Sequence, residues 1–476
     1  MKLSKSLIAV AVTSLASPLI WATNGMNMEG YGSKATAMGG AGMAYDTGNS
    51  AVMNNPATLS LMADGEARLG VGIRNLRPDV QSKVPAFGIK SDSDGDSYFM
   101  PSMSYMRRSG QFTYGAALLA QGGMGTEYGK RSELFAGGQS LMGNMTPLSG
   151  GEVRSEVGVG RFMLPLSYQA NDRFTIGGSV DLVWAMMDLQ MDMSGAQFGQ
   201  LLQGNGGKVS GSMRTALEGA VGGGMITDVN WARFDFSDSN DFTGKAKGYG
   251  LGAKIGFTYL VTDRFRIGGV YHTKTNISDL TADNQKMYMN AATPLGTSTF
   301  ALKGDYTVKD FQWPATWAIG GAFQVNDKLM LVGDIKYIEW NGVLDTFDVT
   351  FKTSGSASNG GFANSRIDVT LDQDWENQTV YQLGVEYLYS PKLALRAGFS
   401  LSDNPVPSKY VNPLFPAIVE NHYMAGFGYQ FNDQHEIGFS LTYAPEAKSK
   451  GNGPLNNGVV VTHSQLNWTF NYVYSF

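Results

Sequence analysis

No cysteine occurs in the 476 residues, which removes disulfides, zinc–thiolate centres and thiol nucleophiles together. A basic excess is missing too: 36 Lys and Arg face 41 Asp and Glu, a formal net charge of −5. Nucleic-acid binding, which needs a basic face, therefore has no support. The histidines, His272, His422, His435 and His463, form no H-E-x-x-H zinc pattern, and no G-x-S-x-G elbow marks a hydrolase. Asp92, Asp94 and Asp96 resemble the start of a calcium loop, yet Ser97 stands where glycine belongs and no properly spaced Glu follows. That stretch reads as a solvated loop. Neither a metal, a cofactor nor an enzyme activity is called for. Beyond the N-terminus there is no run of ~18 apolar residues, so no transmembrane helix is expected.

The N-terminus itself carries Lys2 and Lys5, then an apolar stretch from Leu7 to Leu15, then Ser17-Pro18-Leu19-Ile20-Trp21-Ala22. This is the pattern of a secretory signal peptide over residues 1–22, cut after Ala22. An exported chain without a spanning helix is either soluble or a closed barrel, since only closed hydrogen bonding satisfies a backbone in lipid. Composition favours the barrel. With 61 Gly, 22 Tyr and 25 Phe, the chain suits many strands joined by tight turns.

Two-residue alternation supports the same fold. Trp468, Phe470, Tyr472, Tyr474 and Phe476 share one strand face. Phe174, Ile176, Val180, Leu182 and Trp184 oppose Thr175, Ser179 and Asp181, and Ile437, Phe439, Leu441 and Tyr443 oppose Glu436, Ser440 and Thr442. An apolar outward face over a polar lumen is the transmembrane barrel pattern. Short polar turns recur at Arg108–Gln111, Asn171–Arg173, Thr262–Arg264, Asn326–Lys328, Ser390–Lys392 and Asn432–Gln434. Six short turns imply seven hairpins, hence a 14-stranded antiparallel barrel over residues 66–476 with both termini facing the periplasm. Expected strands include 97–107, 112–122, 297–325 with a bend at Pro314, 328–351 and 367–389. Residues 123–152 and 193–244 are expected as long loops.

Residues 23–65 do not alternate. They are rich in Gly, Asn and Met and too short for a core of their own, so they are expected as a hatch inside the lumen. The order of motifs here, N-G-x-x-x-x-G-Y-G from Asn24, M-G-G-A-G from Met38 and N-P-A at Asn55-Pro56-Ala57, resembles the FadL family of outer-membrane transporters. Trp313-Pro314-Ala315-Thr316-Trp317, Arg396-Ala397-Gly398 and Asn404-Pro405-Val406-Pro407 agree with it. The resemblance implies a 14-stranded barrel with an N-terminal hatch and uptake of long-chain fatty acids, alkanes or monoaromatics. It also implies capture between outer loops, an inner pocket, and exit through the wall at an inward kink of the third strand.

Candidate ligand residues follow from chemistry and from that resemblance. Methionine adapts to variable apolar cargo, which singles out Met26 and Met28 in the hatch; packing against the wall is the competing reading. Phe198, Leu201 and Leu202 share one side of a short helix, and Trp231, Phe234, Phe236 and Phe242 follow on the same loop. So many apolar side chains on an outward loop suggest a capture groove; self-packing of the loop is the alternative. Gly122, Gly123 and Gly125 mark either a strand bulge or a loop start; the resemblance favours the kink. The fatty-acid members carry a basic residue late in the fifth strand, whereas this chain reads Trp184-Ala185-Met186-Met187-Asp188. That departure favours neutral cargo, with Trp184 and Met187 as lining. Lys303 and Lys309 remain as partners for a carboxylate. Asp181, Lys254, Arg266, Asp334, Lys336, Glu386, Arg396 and Glu420 should face the lumen and pair to fix the hatch.

The expected partners are a hydrophobic small molecule, outer-membrane lipid and lipopolysaccharide, and the barrel-assembly machinery through the C-terminal strand. The chain is expected to act as a monomer in the Gram-negative outer membrane. An outer-membrane phospholipase, a general porin and an adhesin or phage receptor are the competing functions.

Overall fold

The structure, a computed structural model, describes residues 24–476 apart from 131, 241 and 242. The expected signal peptide and Phe242 lie outside the described residues. Antiparallel pairing closes a ring. It runs through Ala67–Leu76, Tyr98–Ser109, Phe112–Lys130, Glu152–Gln169, Phe174–Ser194, Ala246–Thr262, Phe265–His272, Thr316–Asn326, Leu329–Ile338, Gln378–Ser390, Leu393–Ser402, His422–Asn432, His435–Lys450 and Val460–Ser475. The last strand pairs with the first, Ser475 opposite Arg68 and Trp468 opposite Asn75. The fold is an all-β closed antiparallel barrel.

The short-turn end follows the sequence closely. Asn171 Oδ1 accepts from the amides of Arg173 and Phe174, both at 2.9 Å. Asn326 Oδ1 accepts from Lys328 at 2.9 Å, and Asn432 Oδ1 from Gln434 and His435 at 3.0 Å. Each side chain thus replaces a backbone acceptor and lets the chain reverse in few residues. Alternation is also realised as read: Val180 and Leu182 are 61% and 54% exposed, while Thr175, Ser179 and Asp181 are buried.

The 14-strand expectation is too simple: among the described residues the main sheet holds 23 strands in all, the additional ones arising towards the long-loop end. Segments expected as single strands break as they leave the wall. The stretch 297–325 becomes Gly296–Lys309 and Thr316–Asn326, separated around Asp310 (φ 48°) and Pro314; proline lacks the amide a ladder needs. Likewise 328–351 divides at the 3-10 turn Trp340–Gly342, and 367–389 divides near Asp374 (φ 47°). The loop 193–244 holds helices Gly195–Leu202 and Ser212–Gly222 and the strand Asp228–Phe236. A capping box between Ser194 and Gln197 starts the first helix. Contrary to the expected end near residue 122, the third ring strand continues to Lys130.

Residues 24–62 form short helical turns whose side chains are nearly all buried. They touch strands from all sides of the ring, and wall glycines receive them. A Cβ at Gly177 would lie 2.7 Å from Ala57 N, and one at Gly384 2.5 Å from Met38 O; Gly256, Gly268, Gly398 and Gly438 meet Asn55, Met43, Gly39 and Ser33 in the same way. Lumen-facing charges add fixed bonds. Asp334 accepts from the amides of Gly42 (2.6 Å) and Met43 (3.1 Å), and Lys336 Nζ donates to Glu29 O at 3.3 Å. Elsewhere Arg161 pairs with Asp181 at 2.7 Å, Lys254 also pairs with Asp181, and Arg396 pairs with Glu386 at 2.6 Å.

Gly398→Val places methyl groups where Gly39 sits. Overpacking of this kind costs about 1–3 kcal/mol. The variant is expected to melt roughly 1–3 °C lower in detergent, read by circular dichroism, with Gly398→Ala falling between it and the unaltered protein.

Candidate functional site

The wall is not paired along its full height. Strands Tyr98–Ser109 and Phe112–Lys130 pair only from Ser109↔Phe112 to Ser102↔Leu119. Beyond that point residues 98–101 stay with Ala67–Leu76, and residues 120–130 stay with Glu152–Gln169. The two strands part, and a register shift between Ala120 and Gly122 marks the bend. A bulge of this kind kinks a strand and frees a ladder position.

The N-terminal segment supplies the missing partners. Asn27 forms a bridge to Gly122, and Gly123 N donates to Met26 O at 3.2 Å. Tyr31 OH donates to Gln121 O at 2.7 Å and lies 2.9 Å from Asn27 Oδ1. Gly122 has no room for a side chain, because Met26 O and Trp313 occupy the space. Gly122, Gly123 and Gly125 are thus strand residues at a bend.

A cavity of about 340 Å³ occupies the parting, at the lower end of the roughly 300–1,000 Å³ typical of small-molecule sites. Met26, Met28, Phe99, Met100, Leu119 and Trp184 line it, and Gly122, Gly123 and Gly125 form part of its wall. Phe99 and Leu118 are also exposed on the outer surface, so the lining runs from lumen to exterior. Among the described residues its charged lining is Glu29 and Glu156, with no Lys or Arg. A smaller cavity of about 30 Å³ shares Met26, Met124 and Val157 with it and adds Met187, Trp375 and Phe415.

Other candidates fall elsewhere. Asn55 Nδ2 donates to Met43 O (2.7 Å) and Phe257 O (3.0 Å) while its Oδ1 accepts from Ala57 N (3.1 Å). Asn55, Pro56 and Ala57 are therefore a clamp between the N-terminal segment and the wall. Phe198, Leu201, Phe234 and Phe236 are buried in the core of the long-loop end, with Leu202 packed against it and Trp231 buried nearby. None of the six lines either cavity. Lys303 and Lys309 are exposed and also line neither; Lys309 lies 3.4 Å from Asp368. Phe99, Met100, Met124, Trp375 and Phe415 were not singled out by the sequence. Only Met124, inside Gly-Gly-Met-Gly, carried a local signal.

Glu29 ties the site to the wall through a buried ion pair with Arg74. Burial pushes its carboxyl up, but Arg74, His422 and hydrogen bonds outweigh burial and hold the pKa at about 2, against an ordinary 4.5. A depressed folded-state value means the stabilisation is complete above the unfolded pKa and disappears as pH falls from about 4.5 towards 2. Glu29→Gln leaves Arg74 buried without its counter-charge. At pH 7 the variant is expected to be less stable by about 3 kcal/mol. In thermal melts at pH 7, 5 and 3 the gap to the unaltered protein should shrink only at the lowest pH.

Comparison with known proteins agrees with this geometry. Residues 9–471 match the family model described as outer membrane protein transport protein (OMPP1/FadL/TodX). The crystal structure of the Pseudomonas putida toluene transporter TodX superposes with a TM-score of 0.78 at 31% identity, covering 94% of this chain and 99% of that one. Outer membrane protein P1 of Haemophilus influenzae is 21% identical over 90% of this chain and 88% of its own. An uncharacterised Chlorobium limicola protein is 54% identical over 92 residues, 19% of this chain; the match spans 45% of that relative's length. The chain belongs to the OMPP1/FadL/TodX family of outer-membrane transport proteins.

Proposed function

We propose that this chain carries compact, neutral hydrophobic molecules, small aromatics foremost, passively across the outer membrane. Cargo rests in the larger cavity, whose lining meets that of the smaller one at Met26, Met124 and Val157, and leaves sideways through the parting between residues 98–101 and 120–125. Residues 24–62 act as a hatch that bars the straight route to the periplasm.

The observation that carries this reading is the position of the apolar cavity in the unpaired part of the wall. An apolar molecule gains about 0.8 kcal/mol per CH₂ on leaving water. A greasy path from lumen to lipid keeps that gain throughout, whereas a water-filled pore forfeits it. The lining also speaks to cargo charge. Glu29 and Glu156 are paired with Arg74 and Arg154, and no Lys or Arg is among the described lining residues, so a fatty-acid carboxylate would find no cation lining the cavity and neutral hydrocarbons fit better. The likeness to a toluene transporter supports the same class.

Uptake by cells with and without the gene, tested on toluene, octane and oleate, checks the reading. Toluene uptake should fall at least about fivefold on deletion, with oleate little changed. Loss of oleate uptake alone, or of none of the three, would reverse the assignment. For the hatch, single-channel recording is the measure. The intact protein should conduct little, and removal of residues 24–60 should raise the conductance about tenfold or more; an unchanged trace would argue that these residues block nothing.

A further inference from the structure

Residues 403–421 link strands Leu393–Ser402 and His422–Asn432 at the long-loop end. Part of this link does not stay above its own hairpin. Residues 411–419 cross to strands Phe112–Lys130, Glu152–Gln169 and Val460–Ser475, where side chains grip their carbonyls. Leu414 O accepts from Thr126 Oγ1 at 3.1 Å and from Ser155 Oγ. Pro413 O accepts from Tyr128 OH at 2.8 Å, and Pro416 O from His463 Nδ1 at 2.8 Å.

How this strap is held sets it apart from the rest of the wall. Pro413 and Pro416 have no amide to give a ladder. Amides of Phe415, Ala417 and Ile418 bond locally, to Asn412, Phe415 and Pro416. Among the described residues no strand ladder includes 411–419; its outward polar attachments are the wall side chains described above and Asn456 of the neighbouring loop, whose Nδ2 donates to Val411 O at 2.8 Å. The strap nevertheless fits closely: Val411, Leu414, Ala417, Ile418 and Val419 are almost fully buried. It also roofs both cavities, with Ala417 lining the larger and Asn412 and Phe415 the smaller. Phe198, Leu201, Leu202, Trp231, Phe234 and Phe236 line neither.

We propose that residues 411–419 are the gate by which cargo enters from outside: the strap lifts from Thr126, Tyr128, Ser155 and His463, admits a compact hydrophobic molecule to both cavities, and reseats. This rests on the transport reading above. Side-chain bonds to carbonyls can break one by one, whereas a ladder opens only cooperatively.

The absence of cysteine makes the test clean. Thr126→Cys with Leu414→Cys gives one possible disulfide, formed by oxidant and opened by dithiothreitol. Uptake of radiolabelled toluene by intact cells is measured in both states. The oxidised form is expected to take up toluene about tenfold more slowly, with recovery on reduction. A second variant, Thr126→Val with Tyr128→Phe, loosens the strap and should raise uptake about twofold. Equal uptake with the disulfide formed, or no rise in the loosened variant, overturns the gate. If the unaltered chain takes up no toluene, the transport reading itself fails, and the gate with it.

Discussion

A peptide group facing lipid has no water to bond to, and every other feature of this barrel answers to that constraint. Ladders satisfy it around most of the ring. Between Ser102 and Leu119 the ladder stops, and the third strand is left with unpaired positions. The N-terminal segment then bonds the bent strand from inside, through Asn27, Met26 O and Tyr31 OH. The gap in pairing and the N-terminal segment are therefore one arrangement: where the ladder stops, residues 26, 27 and 31 bond the bent strand.

Close approach makes that arrangement possible. Backbone meets backbone at Gly122 and again at Gly384 and Gly398, where any Cβ would collide. Buried charges are spent on the same junction. Asp334 holds the amides of Gly42 and Met43, Lys336 holds Glu29 O, and Arg74 holds the Glu29 carboxylate. These polar groups fix the segment and leave the cavity lining to Met, Phe and Trp. This division between a polar seat and an apolar lining lets one interior hold many charges and still present a hydrophobic cavity.

Much of this was legible in the sequence because it repeats at fixed period. The alternation from Phe174 to Trp184 reports which face meets lipid, and Asn at 171, 326 and 432 reports where the chain turns, since both effects are local. Pro314 reported a break, but not that the hairpin on either side leaves the ring. Glycines at 122, 123 and 125 read equally well as a loop start, and only pairing with Glu152–Gln169 shows them to be strand. Apolar residues on a loop do not say what covers them: Phe234 and Phe236 read as part of a capture groove, and both pack on Tyr306 of strand Gly296–Lys309. Trp375 and Phe415 were invisible for a simpler reason: Met26 and Met124, which share their cavity, lie some 250 to 390 positions away in the chain.

The seam between first and last strands has a consequence for biogenesis. Ala67 and Phe476 exchange both amide bonds, at 2.8 and 2.9 Å, and residues between Ser33 and Ala57 sit against glycines drawn from strands spread through the rest of the chain. So tight an inner fit leaves no passage for threading a folded segment into a finished cylinder. On this packing, joining the two edges encloses residues 33–57 together with the seam, much as staves are drawn around a barrelhead.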